Sequence, residues 1–335
     1  MSRLTAPTRA AGQSGGGVPV LRVVSWPMRG CPTFLAALLA LLIAPAAALA
    51  GPLDGVREYL QTREGVVQVA VFDKATRTAH AVSTGSAPQY TASIQKVDIL
   101  AGWLRRYEDV GTAIPRGIPY SVKYLMTDMI TASSNDAATG LFFFGGGCTY
   151  FGRFNGLIGM PRTRVGCQTP TYYGWGNTTT SAPDQVRLMR MLAYGLYQQS
   201  RPPKAVLGPR ARNYALGLMR QVEPGQSWGI TCGPWGTACD APAYAQQVSG
   251  VHVARKNGWK PLPTCTATPA QCPWQVNSTG WVRGQGRDYV ITVLTTRNPA
   301  GAGVAPTVAE EDSPGFRYGI ATVQGVSQMV WRNLG

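Results

Sequence analysis

The chain has few of the residues that build most metal sites and many acid–base centres. Its 335 residues include two histidines, His80 and His252, and 16 acidic residues against 31 lysines and arginines. Seven cysteines are present, but none forms a C-x-x-C pair. Structural zinc sites usually use such pairs or clustered histidines. We therefore expect no metal and no other cofactor.

A hydrophobic run long enough to cross a bilayer is also missing at the N-terminus. The apolar stretch 34–43 is short for a membrane span, and Ala48-Leu49-Ala50 follows it as an A-x-A cleavage site. Residues 1–50 are predicted to be a signal peptide, with Met28 as a possible true start. An uncleaved anchor is the alternative. The mature protein, 51–335, is predicted to be secreted.

Cysteine number and net charge fit an exported protein. Six cysteines follow the leader, and an even number in a secreted chain indicates disulfides. Six cysteines allow 15 pairings. The formal charge is +15, of which four leader arginines account for +4. No basic run is interleaved with aromatics, so we expect no nucleic-acid partner and a basic surface that suits an anionic cell wall. The sequence-local pairing is Cys148–Cys167, Cys232–Cys239 and Cys265–Cys272.

Strand patterns lie at both ends of the chain and helical patterns between them. Strands are predicted at 66–72, 78–84, 248–255, 277–282 and 288–295. Helices are predicted from 93, at 119–131, 135–144, 181–197 and 210–221, and at 316–334, with a long irregular segment at 145–180. This order predicts an α+β fold whose sheet uses both chain ends. The α/β lobe would comprise about 51–92 and 245–335, and the all-helical lobe about 93–244.

Ser93-Ile94-Gln95-Lys96 is an S-x-x-K motif at the start of a predicted helix. One helical turn brings the lysine beside the serine hydroxyl. A serine is a weak nucleophile until a base takes its proton, and a buried lysine can be that base. Taken alone, the motif is better explained by a helix cap followed by a solvated lysine.

Two further motifs follow in the chain. Ser133-Ser134-Asn135 lies between two predicted helices and offers a hydroxyl and an amide. Lys256-Asn257-Gly258 is predicted to lie on a C-terminal strand, where the lysine can hold a carboxylate and the glycine permits close approach. Each motif alone is weak evidence for a catalytic site, but their order along the chain is informative. The order of the three motifs, S-x-x-K, S-x-N and K-x-G, resembles the signature of the class A β-lactamases and penicillin-binding proteins.

From about residue 60 to 335 the chain resembles secreted actinobacterial members of this family. The resemblance implies an antiparallel sheet flanked by helices, with Ser93 as the acylated nucleophile and Lys96 as its base. It also implies that Ser133 relays a proton, Asn135 binds a substrate amide and Lys256 holds a substrate carboxylate. Asn257, Gly258 and Trp259 complete the implied substrate-binding strand, with the backbone N–H groups of Ser93 and Trp259 as the oxyanion hole.

The chain departs from the family pattern in three places. Ser134 replaces the usual Asp of the second motif, and Asn257 replaces the usual Thr or Ser of the third. Class A β-lactamases also carry an omega-loop Glu that activates the deacylating water, whereas no Glu occurs here between Glu108 and Glu223. We therefore expect an atypical, slow deacylation. None of the acids in that span is a good substitute: Asp109, Asp128, Asp136 and Asp184.

Three functions remain open. The first is an acyl-serine hydrolase that acts on β-lactams or related amides and peptides. The second is a cell-wall D,D-peptidase, which needs no omega-loop Glu and cleaves peptides that end in D-Ala. The third is a catalytically impaired binding protein that keeps the fold. In each case we expect a monomer with a small-molecule or peptide ligand.

Overall fold

The computed structural model describes residues 51–167, 174–196, 205–236, 239, 250–301 and 303–335. The predicted signal peptide lies outside these residues. In the part of the chain that is described, no helix combines the length and the hydropathy of a membrane span.

A five-stranded antiparallel sheet joins the two ends of the chain. Its strand order is β2-β1-β7-β6-β5, and the N-terminal hairpin joins the C-terminal strands through pairing of β1 with β7. This confirms the predicted α+β fold with a sheet drawn from both chain ends. The strands are β1 Val66–Asp73, β2 Thr78–Ser83, β5 His252–Pro261, β6 Trp274–Gly284 and β7 Arg287–Asn298, while β3 Gln89–Tyr90 and β4 Thr179–Thr180 form a separate ribbon.

Both faces of the sheet are buried, each under its own apolar cluster. Successive side chains of a strand point alternately to the two faces. On β1, Val69 and Val71 face one apolar cluster, whereas Ala70 and Phe72 face the other. The first cluster includes the C-terminal helix, and the second includes the helices from the middle of the chain. The helices are α1 Val56–Gln61, α2 Gln95–Asp109, α3 Tyr120–Thr131, α4 Asn135–Phe144, α5 Gly147–Ile158, α6 Ala182–Tyr194, α7 Pro209–Arg220, α8 Cys232–Trp235 and α9 Pro314–Asn333.

The prediction of an irregular segment at 145–180 is wrong for its first part, which forms α5. Gly146 and Gly159 flank this helix with left-handed backbone, at φ 96° and 74°. Phe151, Phe154 and Ile158 are buried along one face, a helical spacing that the glycine-rich composition obscured. The strand expected at 248–255 also continues further, because β5 ends at Pro261. The third motif therefore lies within a strand.

Local cross-links and packing define the rest of the fold. The three disulfides are Cys148–Cys167, Cys232–Cys239 and Cys265–Cys272, the predicted sequence-local pairs. Trp228 and Ile230 were expected in the helical lobe. They pack instead in the apolar cluster that contains Val69, Val71 and residues of α9. The segment 228–231 lies beside the edge strand β5 and borders the candidate active site.

Candidate active site

Ser93 lies in a single 3-10 turn, Ala92–Ile94, immediately before α2. Ala92 has a φ of 47°, a left-handed conformation that is uncommon for a residue with a side chain and is found mostly where the fold enforces it. The turn is held by Asn277 of β6, whose side-chain amide donates to the carbonyls of Tyr90 (2.8 Å) and Thr91 (3.1 Å). The Ser93 hydroxyl is half-buried and has no hydrogen bond to another described residue.

Lys96 is fully buried one turn further along. Burial lowers its pKa to about 7, and the negative charge of Asp128 opposes part of this change. Its Nζ donates to the carbonyl of Ser133, to Ser133 Oγ (3.0 Å) and to Asn135 Oδ1 (2.8 Å). Near neutral pH a large fraction of this amine is therefore unprotonated and able to accept a proton.

Ser133 lies at the junction of α3 and α4, with a left-handed φ of 60°. Its Oγ accepts one hydrogen bond from Lys96 Nζ and a second from Lys256 Nζ, at 2.8 Å. With both lone pairs occupied, the hydroxyl proton is free to point elsewhere. The next residue, Ser134, accepts from Ala137 N (3.2 Å) and is the N-cap of α4.

Lys256 reaches this junction from the middle of β5. It is fully buried, and burial, followed by the charges of Lys96 and Arg255, holds its pKa well below the usual range. Besides Ser133, its Nζ donates to the Asn257 carbonyl (3.1 Å) and to Gln226 Oε1 (3.4 Å). The Gln226 contact is the longest of the three, and is the one that an incoming anion would replace most easily.

The β5 backbone packs directly against the turn that contains Ser93. A Cβ placed on Gly258 would lie 2.6 Å from Ser93 N and 2.7 Å from Ile94 N, so only glycine fits. This contact places the β5 backbone at Gly258 beside the Ser93 amide. The Trp259 side chain points away, to the other face, where its ring centroid lies 5.6 Å from that of Trp228.

Asn257 also faces away from Lys256, because adjacent residues of a strand point to opposite faces. Its buried amide nitrogen donates to the carbonyls of Gln226 (2.9 Å) and Trp228 (3.1 Å), and its oxygen accepts from Ser278 Oγ (2.7 Å). The side chain therefore fastens the 226–228 segment to the sheet. The structure thus brings Ser93, Lys96, Ser133, Asn135, Lys256 and Gly258 together, and directs the Asn257 and Trp259 side chains elsewhere.

Two side chains outside the three motifs also reach the site. Gln226 bridges Lys256 to the helical side, where its amide nitrogen donates to the Ala132 carbonyl (3.1 Å). Trp175 is 3% exposed, and its ring centroid lies 5.1 Å from Lys96 Nζ. Its indole N–H donates to Thr139 Oγ1 (3.0 Å), which fixes the ring over the lysine. The sequence indicates Trp175 only as an aromatic that could line a substrate cleft, and the contact of Gln226 with Lys256 is revealed by the fold alone.

The four acids between Glu108 and Glu223 have other surroundings than the Ser93 hydroxyl or act on the site only through their charge. Asp109 forms an ion pair with Arg105 (2.7 Å), and Asp136 is exposed in the first turn of α4. Asp184 accepts from Arg162 N and Thr163 Oγ1, both at 2.8 Å. Asp128 acts on Lys96 through its charge. Among the described residues, no carboxylate is hydrogen-bonded to Ser93 or Lys96, and no His, Cys, Asp and Glu side chains cluster as metal ligands.

Sequence comparison identifies one family. Residues 54–314 match the model of the β-lactamase enzyme family. No curated protein is significantly similar to the chain in sequence.

Solved structures share the fold at low sequence identity. A structure of PBP-A superposes with a TM-score of 0.60 at 17% identity, covering 84% of this chain and 94% of that one. A PBP-A mutant in an acyl-enzyme complex with penicillin G gives 0.60 at 18% identity, with coverages of 84% and 95%. The class A β-lactamase of Mycobacterium abscessus gives 0.57 at 17% identity, with coverages of 84% and 98%. At these identities the likeness shows the fold.

Proposed function

The chain belongs to the β-lactamase enzyme family and is a serine hydrolase of the β-lactamase and penicillin-binding-protein superfamily, and from this premise we propose that Ser93 is acylated by β-lactams or related amides and peptides. The observation that supports this most strongly is the Ser133 hydroxyl, held between Lys96 and Lys256 beside the nucleophile. Three motifs separated along the chain meet at that one oxygen.

In the proposed acylation, unprotonated Lys96 takes the proton of Ser93 Oγ as the oxygen attacks the substrate carbonyl carbon. A neutral amine has two N–H donors and one lone pair, so Lys96 must release one of its three hydrogen bonds. The freed lone pair then faces Ser93. The backbone N–H groups of Ser93 and Trp259 stabilise the negative oxygen that forms.

Collapse of this intermediate needs a proton on the leaving nitrogen. We assign that transfer to Ser133, whose own proton is not used in its contacts with the two lysines. As the C–N bond breaks, Ser133 gives its proton to nitrogen and takes one from Lys96, which received it from Ser93. The proton count then balances, and Lys96 is again neutral in the acyl-enzyme.

Substrate binding follows from the remaining donors. Asn135 accepts from Lys96 through Oδ1, so its NH2 group is oriented to donate to a substrate carbonyl. A substrate carboxylate would bind Lys256 by displacing the amide oxygen of Gln226. We propose that Asn257 contributes to this subsite by holding Gln226 in place.

Deacylation is the step that the residues of this site support least. Among the described residues no carboxylate is hydrogen-bonded to Lys96, and the Trp175 ring lies 5.1 Å from Lys96 Nζ, which leaves less room for a water beside the amine. We therefore propose a long-lived acyl-enzyme. This favours the second candidate, a D,D-peptidase or penicillin-binding protein, over an efficient β-lactamase. We further propose that residues 1–50 direct export and that the basic mature protein acts as a monomer near the cell wall.

Labelling with a fluorescent penicillin tests the proposal. The exported protein and Ser93→Ala are incubated with the label, and the adduct is followed by gel and intact mass. Label on the wild type that persists supports penicillin-binding or peptidase chemistry. Release of D-alanine from a peptide ending in D-Ala-D-Ala would then identify a peptidase. Rapid loss of label would show β-lactamase turnover, and ligand binding without any adduct would show an impaired binding protein.

A further inference from the structure

A cavity of about 670 Å³ lies beside the proposed catalytic site. Its walls come from residues 223–228, from Trp259 of β5, from the turn Glu310–Asp312 and from the first turns of α9. Gln226 lines this cavity and also accepts the hydrogen bond of Lys256 Nζ. The cavity and the proposed site therefore share one side chain.

Aromatic rings form one wall of the cavity. Trp228, Trp259 and Phe316 line it and contact one another, with ring-centroid distances of 5.6 Å, 5.7 Å and 5.8 Å. Trp228 and Phe316 are only 8% and 5% exposed, whereas Trp259 is partly exposed, so Trp259 offers the larger ring surface to this space. Such a wall packs well against methylene groups and attracts a cation placed over a ring face.

The lining also includes acidic residues, in contrast to the basic chain as a whole. The chain carries a formal charge of +15 and only six glutamates, and three of these, Glu223, Glu310 and Glu311, line this one cavity. None of the three carboxylates forms an ion pair or side-chain hydrogen bond with another described residue. Arg317, the cation on the rim, is held by Asp312 (2.6 Å). The cavity is therefore a local negative site with an aromatic wall.

We propose that this cavity binds an alkylammonium group, such as a lysine side chain, of the ligand that occupies the neighbouring site. The methylene groups pack on the partly exposed Trp259 ring, and the ammonium reaches Glu310 and Glu311. The inference concerns the substrate class of the proposed hydrolase and rests on it for that meaning, whereas the binding itself needs no acylation.

Binding of two matched probes tests the proposal. Nα-acetyl-lysine amide and Nα-acetyl-norleucine amide differ in the terminal ammonium, and each is titrated into the exported protein by calorimetry. We expect the lysine probe to bind roughly tenfold more tightly, and less so at high salt. The variant Glu310→Gln/Glu311→Gln should weaken lysine binding by roughly tenfold. The matched control is Glu58→Gln/Glu64→Gln, which removes two exposed carboxylates elsewhere and should leave binding unchanged.

Equal affinity for the two probes would overturn the proposal, as would lysine binding that ignores the Glu310/Glu311 substitutions or no binding at millimolar concentration. The titration is repeated on Ser93→Ala, which should bind the lysine probe as the wild type does. Loss of acylation in the penicillin assay with lysine binding intact would count against the proposed hydrolase alone. Acylation without lysine selectivity would count against the cavity alone.

Discussion

Replacement of Trp175 by glutamate should convert a slow deacylation into a fast one. The indole ring centroid lies 5.1 Å from Lys96 Nζ, and its N–H is anchored to Thr139. A glutamate at this position would put a carboxylate, and room for a water, beside the acylated Ser93. General-base catalysis contributes about 10²- to 10⁴-fold, so we expect Trp175→Glu to shorten the lifetime of the penicilloyl adduct by at least about 100-fold.

The same substitution should slow acylation at neutral pH. A carboxylate close to Lys96 stabilises the ammonium, raises the lysine pKa above about 7 and reduces the fraction that can accept a proton. Opposite effects on the two steps distinguish this chemistry from simple damage to the site. Loss of the buried ring should also cost about 3 kcal/mol in unfolding free energy, and a thermal melt measures this separately.

The assay follows the penicilloyl adduct of each protein by intact mass after excess penicillin is removed. Trp175→Gln is the matched control, because it opens the same space without a base, and Trp175→Phe keeps an aromatic cover. If the Glu and Gln variants both retain the adduct as the wild type does, a missing carboxylate does not limit deacylation. If both lose it equally fast, exclusion of water by the ring is the dominant factor.

Other predictions address acylation. The acylation rate should rise with pH through about 7, because protonated Lys96 cannot accept a proton, and Asp128→Asn should move this rise to lower pH by removing the charge that stabilises the ammonium; a rate flat between pH 5.5 and 8.5 would contradict Lys96 as the base. Ser133→Ala should slow acylation by about 100-fold or more while the protein stays folded, as stopped-flow labelling and circular dichroism would show, and an unchanged rate would assign the proton transfer elsewhere. Gly258→Ala should abolish labelling and lower the melting temperature, because the new Cβ would lie 2.6 Å from Ser93 N; normal labelling would mean that β5 does not hold the Ser93 turn as described.

Patterns within short stretches of the chain were sufficient for much of this molecule. The periodicity of 135–144 predicted α4 with its observed ends, and the strand patterns at both chain ends predicted the sheet. The S-x-x-K spacing predicted that Ser93 and Lys96 lie on adjacent turns. All three disulfides join cysteines at most 19 residues apart, so the sequence-local pairing matched the structure. Local signals such as these do not depend on how distant segments pack.

The tertiary structure alone decided how the motifs act on one another. Lys96 and Lys256 both contact the Ser133 hydroxyl, although 123 residues separate Ser133 from Lys256. Lysine pKa values fall because the fold removes water from both amines, which no spacing along the chain encodes. Gln226 and Trp175 belong to no motif and reach the site because non-local packing places them there. The same packing turns the Asn257 side chain to the opposite face of the strand, where it holds a loop.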